Sequence, residues 1–172
     1  MIQVLPLADV DVPWKPSHDQ RMSLSWIREN PPIWDADKRR IILGAEEGIF
    51  DETYGHLSDG AIVPGEWWRV ESDGETVGYG WLDSVFGNAE ILLATDPSHR
   101  GQGIGSFIIE RLDAEARTRG LNYLYNVVQK THPAPDQIKK WLEGRGFVGK
   151  EGGRLLKRST KPPQERMPQP EA

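Results

Sequence analysis

The sequence predicts a mixed α/β (α+β) fold, a mostly antiparallel central sheet of about six to seven strands flanked by about four helices. Three observations carry that expectation. Between Glu66 and Thr95, three strand-like runs follow one another through short turns, which builds an antiparallel meander. The clearest helical pattern, Gly103 to Arg119, comes only after them, and strand-like and helical runs alternate behind it. The length of 172 residues, with 37% hydrophobic and 27% charged, suits one domain around one core.

In chain order, Ile2 to Leu7 alternates loosely and predicts a first strand, and Pro13 and Pro16 mark a loop. Ser17 reads as an N-cap for a helix over His18 to Glu29, with Met22, Trp26 and Ile27 at helical spacing and Asn30-Pro31-Pro32 as its stop. A second helix is expected from an Asp35 cap through Ile41, Ile42 and Ala45 towards Phe50, weakened by Gly44 and Gly48. Asp51 to Gly65 reads as a long loop. The meander then comprises Glu66–Ser72, a turn at Asp73-Gly74, Glu75–Asp83, a turn at Gly87-Asn88, and Ala89–Thr95. In the next helix Ile104, Ile108, Leu112 and Ala116 recur every fourth residue, Phe107 widens the stripe, and Gly120 ends it. Leu121 to Val128 is a strand by its aromatic and β-branched content, Pro135 to Glu143 a helix, and Phe147 to Lys157 two short strands around Gly152-Gly153. Beyond Ser159 too few apolar groups remain to offset the entropy of ordering, so 1–158 is expected as the domain and 159–172 as a mobile Pro-rich tail.

Composition removes several chemistries. Without cysteine there are no disulfides, thiolate metal sites or cysteine nucleophile. The four histidines, His18, His56, His99 and His132, lack paired spacing, so no metal is expected. No apolar run approaches the roughly 20 residues of a bilayer span, and the first residues lack a secretory pattern, so the expected location is cytoplasmic with no membrane contact. The net charge of −5 is uneven: Gln137 to Arg166 holds nine Lys and Arg against three Glu. Such a basic end suits a phosphorylated coenzyme, a nucleic acid or simple solvation.

The segment Thr95-Asp-Pro-Ser-His-Arg-Gly-Gln-Gly-Ile-Gly-Ser106 joins a strand to a helix N-terminus through three glycines. Free amides at such a terminus, the positive end of the helix dipole and Arg100 together make an anion site suited to a diphosphate. No Lys-Ser or Lys-Thr follows, as a Walker A loop requires, and G-x-G-x-G after hairpin strands departs from the dinucleotide fingerprint.

The pattern R-x-x-G-x-G, here Arg100, Gly103 and Gly105, resembles the Gcn5-related N-acetyltransferase (GNAT) superfamily. Thr76-Val-Gly-Tyr-Gly is similar to that family's third strand, and Trp141-Leu-Glu-Gly-Arg-Gly-Phe147 to its F-Y-E-x-x-G-F. The likeness runs from about Glu66 to Lys157. It implies acetyl-CoA or another acyl-CoA as co-substrate, its pyrophosphate on Arg100, Gly101, Gln102, Gly103, Ile104, Gly105 and Ser106, and its pantetheine beside Leu93, Ala94 and Thr95. The implied reaction is direct attack of a primary amine, on a small molecule or peptide, upon the thioester.

Such an attack needs a base, and Glu90 at the start of its strand is the preferred candidate, its facing set by strand register. A solvated Glu at a strand edge is the alternative. Leu142 stands where many relatives carry a tyrosine, and Thr131-His-Pro-Ala-Pro135 replaces an asparagine often found there. His132 is the second catalytic candidate, set against an exposed loop histidine. Of seven tryptophans, Trp26, Trp34, Trp68 and Trp81 are candidates to line an acceptor pocket. Two other readings stay open: a GNAT-fold transferase using a tRNA- or carrier-linked group through the basic end, and a non-catalytic CoA-binding module. The pattern leaves monomer and homodimer equally open.

Overall fold

A computed structural model describes residues 22–44, 50–130 and 132–158. The expected strand at Ile2–Leu7, the Ser17 cap and the tail at 159–172 lie outside the described residues.

The central element is a seven-stranded sheet. Its first three strands are β1 (Leu24–Arg28), β2 (Glu66–Ser72) and β3 (Glu75–Val85), and the fourth is β4 (Asn88–Thr95). These four form a continuous antiparallel run, with one bulge between β2 and β3 at Val70/Glu71. Then come β5 (Tyr123–Val127), β6 (Val148–Gly149) and β7 (Arg154–Arg158), and the spatial order is β1-β2-β3-β4-β5-β7-β6. Only β4 and β5 are parallel, as the intervening helical crossover requires. The helices are α1 (Ala36–Ile42), α2 (Asp51–Tyr54), α3 (Ile104–Thr118) and α4 (Pro135–Glu143).

Side-chain alternation divides the sheet into two apolar layers. On one face Trp68, Val70, Leu82, Ile91 and Leu124 pack with Ile104, Ile108 and Leu112 of α3 and Leu142 of α4. On the other, Trp67, Tyr79 and Ala94 pack with Trp34, Ile41, Ile42 and Tyr54, around α1 and α2. Adjacent Trp67 and Trp68 therefore serve opposite layers. Lys38 of α1 is fully buried; it is paired with Glu29 and stands 4.7 Å from the Tyr79 ring centre and 5.6 Å from that of Trp67. This arrangement compensates its desolvation with a counter-charge and two ring faces.

Two elements correct the sequence reading. The described part of the expected His18–Glu29 helix is strand β1, paired with β2 from Leu24↔Ser72 to Arg28↔Trp68. Met22, Leu24 and Trp26 alternate with serines, and a spacing of four residues fits a period of two as well as a helical turn. The Trp26 ring then stacks on Trp68 at 5.4 Å, a contact made across the sheet edge that a helix would forgo. In the expected loop Asp51–Gly65, residues Asp51–Tyr54 are α2. The Asp35 cap holds, its carboxylate accepting from the Lys38 amide at 2.8 Å, but α1 ends at Ile42, before Gly44. The turn into β4 falls at Phe86-Gly87, where both residues have positive φ, one residue earlier than expected.

Candidate active site

The β4–β5 pairing is short. It joins Asn88↔Tyr123, Ala89↔Leu124 and Glu90↔Tyr125, and then the strands part. The Asn126 amide spans the opening, donating to the Ile91 carbonyl at 2.9 Å. Beyond it lies a cavity of about 480 Å³ lined by residues of both strands, from Glu90 and Leu92–Thr95 on one side to Asn126–Gln129 on the other. Since Leu93 and Thr95 face the α3 layer while Glu90, Leu92 and Ala94 face α2, the cavity passes through the sheet. Arg100, Ile138, Trp141 and Leu142 line it on the first face, Phe50, Thr53 and Tyr54 on the second.

At the first mouth sits the α3 N-terminus. Gly103 is the cap residue at φ 81°, a left-handed conformation that a residue with a Cβ adopts only with strain, and no side chain caps the helix. The first helical bond runs from the Phe107 amide to the Gly103 carbonyl at 3.0 Å. The amides of Gly103 to Ser106 thus have no partner within the helix, which is the anion-binding geometry the glycines predict. Gly105 has a different role. A Cβ there would lie 3.0 Å from Cζ2 of Trp141, so glycine lets that indole lie against the helix start. Arg145 holds the indole in place, its guanidinium 3.7 Å above the ring centre and donating to the Ser106 hydroxyl from Nη2 at 2.7 Å.

The preceding turn is fixed by Asp96, which is buried and accepts from the amide and hydroxyl of Ser98 at 3.0 and 2.9 Å. It also pairs with Arg40 of α1, which donates in turn to the Thr76 carbonyl at 3.0 Å. Burial would raise the Asp96 carboxyl; the Ser98 donors and the Arg40 guanidinium outweigh it and hold the group below its ordinary value of 3.8.

At the second mouth Glu90 lines the cavity, half-buried, with its side chain on the α2 face. Two tyrosine hydroxyls feel its charge. Tyr54 is pushed up by burial and then by Glu90, and Tyr125 by burial and then by Glu90, with Asp83 adding to the rise and Arg154 opposing it. His132 lines the cavity too, and its Nδ1 accepts the Ala134 amide at 2.9 Å. An Nδ1 lone pair engaged in that way leaves the ring proton on Nε2, so the free edge of this imidazole is a donor.

Of the sequence-derived candidates, Glu90, His132, Leu93, Ala94, Thr95 and Arg100 meet at this cavity. Gly101, Gln102 and Gly103 are exposed at its mouth, whereas the Ile104 side chain is core, 1% exposed. The tryptophan candidates are not brought there. Trp26 and Trp68 stack against each other under α3, and Trp34 stacks on Tyr54 at 5.6 Å. Trp81 donates to the Pro64 carbonyl at 3.0 Å and lines a small apolar recess behind Tyr54 that shares Phe50, Leu92, Leu93 and Ala94 with the cavity. Trp141, which the sequence marks only as part of a family-like stretch and not as a pocket candidate, does line the cavity, as does Tyr54. An i, i+3 apolar pair, Ile138 and Trp141, was the available signal for the first; Tyr54 stood in a stretch without periodicity.

Among the described residues no three His, Asp or Glu side chains converge as a metal site would require, and no helix is long and apolar enough to cross a membrane.

A family model described as an acetyltransferase (GNAT) domain matches residues 64–148. The fold is similar to a solution structure of E. coli YhhK bound to coenzyme A, with 13% identity over 80% of this chain and 99% of that one and a TM-score of 0.57. It is also similar to the ribosomal-protein-S18-alanine N-acetyltransferase from Escherichia coli, with 18% identity over 58% of this chain and 72% of that one and a TM-score of 0.47. No curated protein matches the chain in sequence.

Proposed function

This chain belongs to the GNAT superfamily through the acetyltransferase domain at residues 64–148, and from that premise we propose that it is an N-acyltransferase moving an acetyl group from acetyl-CoA to a primary amine in a ternary complex. The observation that carries the reading is the continuity of one cavity from the uncapped α3 start, beside Arg100, through the parted strands to Glu90. In this reading the amides of Gly101 to Ser106 receive the pyrophosphate. The pantetheine lies along Leu93 to Thr95, where β4 has lost its β5 partner and its backbone groups on that side are open.

The amine arrives as an ammonium and must lose a proton before it can attack. Glu90 takes that proton, directly or through water. The nitrogen then bonds to the carbonyl carbon, the C–S bond breaks to release the coenzyme thiolate, and as the amide forms the nitrogen gives its second proton, through water, to that thiolate. Leu142, buried and apolar, supplies no donor to the departing sulfur. The Nε2–H of His132 does so in this scheme, as a hydrogen bond to developing charge.

Calorimetric titration with acetyl-CoA and with desulfo-CoA tests the reading, beside an Arg100→Ala, Gly103→Ala double variant. Micromolar binding that the variant loses is expected. Absence of binding by any CoA species overturns the donor assignment and directs attention to tRNA- or carrier-linked acyl groups.

A further inference from the structure

Tyr54 is 6% exposed, and its ring is fixed by Trp34 stacked at 5.6 Å, Trp67 edge-on at 6.0 Å and Phe50 at 6.1 Å. Its hydroxyl has no hydrogen-bond partner among the described residues, although the residue lines the cavity and its charge environment includes Glu90. A phenylalanine would fill the same aromatic clamp without bringing an unpaired polar group to the cavity wall.

One row of the sheet reaches the cavity through Glu90 and runs on to an exposed carboxylate outside its lining. Asp83, Glu90 and Tyr125 stand directly opposite one another on β3, β4 and β5, and so project from one face. Like charges in direct cross-strand opposition repel, and among the described residues neither carboxylate has an ion pair. The counter-charge facing this row is Arg154 of β7, whose guanidinium lies 5.3 Å over the Tyr125 ring. Among the described residues, one cation against two carboxylates leaves the row net negative, and a row of two carboxylates beside an unpaired hydroxyl is satisfied by N–H donors that carry positive charge.

We propose that the acceptor is a dication, an amine bearing a second positively charged group. The reacting ammonium sits between the Tyr54 hydroxyl and the Glu90 carboxylate, and the second cation meets Asp83 at the rim. This rests on the acyl-transfer reading above. Cross-strand neighbours have Cβ atoms about 5 Å apart, which suits two nitrogens joined by a short aliphatic chain.

Three acceptors of similar length separate the far-end charge: putrescine is positive there, butylamine neutral and γ-aminobutyrate negative. Acetyl transfer from acetyl-CoA is expected to give kcat/KM in that descending order, with putrescine about fivefold or more above butylamine, a margin that shrinks with salt. Asp83→Lys, at an exposed position, is expected to invert the order, while a thermal melt confirms that the variant folds. Butylamine equal to putrescine, an order unmoved by Asp83→Lys, or transfer to none of the three overturns the inference. Calorimetry with acetyl-CoA alone separates the failures: if acetyl-CoA still binds, only the dication assignment falls, and if it does not, the acyl-transfer reading falls with it.

Discussion

Glycines 103 and 105 stand two residues apart on one turn and answer different demands. Gly103 takes a backbone conformation that a Cβ opposes, whereas Gly105 is helical and small because Trp141 needs its space. Gly105→Ala would gain about 0.5–1 kcal/mol of helix propensity and lose about 1–3 kcal/mol to overpacking. The expected outcome is a fold destabilised by about 1 kcal/mol in a thermal melt, with weaker acetyl-CoA binding by calorimetry because the displaced indole lines the cavity. Both glycines were legible in sequence as a motif, but their separate reasons were not. The contact with Trp141 joins residues far apart in the chain, and no local pattern reports it. Glu90 was a candidate only by its place at the start of its strand, and its facing is settled by the register Asp83↔Glu90. Tyr54 was not legible at all, because its place depends on how α1 and α2 lie on the sheet.

Among the elements, the turn between β4 and α3 is held by a group with a pH signature. Asp96 titrates below its ordinary value in the folded state, so it contributes stability that is present above about pH 4 and lost as pH falls through its folded value. Its partner Arg40 has a side chain 41% exposed, so the ion pair itself contributes no more than about 1 kcal/mol. Acid titration of thermal stability is expected to fall through this range, and Asp96→Asn to flatten that limb while lowering stability at neutral pH. The elements also mark where periodicity decides and where it does not. The meander and α3 were read within a residue or two, since alternation and fourfold spacing were unambiguous there. The segment before Asn30 went to the wrong period because Met22 and Trp26 fit both, and the tie was broken by Trp68, which sits on another strand.

For the molecule as a whole, the fold class was legible because two tight turns in succession force antiparallel pairing of three strands. The parting of β4 from β5 was not, since strand sequences state which residues alternate and not where a ladder stops. The matched domain covers the parted strands and the α3 start and supplies Trp67, Tyr79 and Ala94 to the aromatic layer, while Trp34, Ile41, Ile42 and Tyr54 of that layer come from residues before it. The proposed acceptor contacts are therefore divided between Tyr54, from a stretch without periodicity, and Asp83 and Glu90 of the meander.

A ladder that stops early leaves two half-satisfied strand edges facing one another inside the molecule. Such edges exchange their amide hydrogens readily and invite any extended chain that can bridge them. A pantetheine arm, with its two amide groups, would act there as a missing strand. Hydrogen exchange is therefore expected to slow at Leu93 and Thr95 and at Val127 and Gln129, but not at Val128, whose amide already donates to the Gly153 carbonyl, when acetyl-CoA is added, and to slow less with a nucleotide that carries the diphosphate but no pantetheine. Equal protection by both ligands would mean that the seam is closed by the helix end alone.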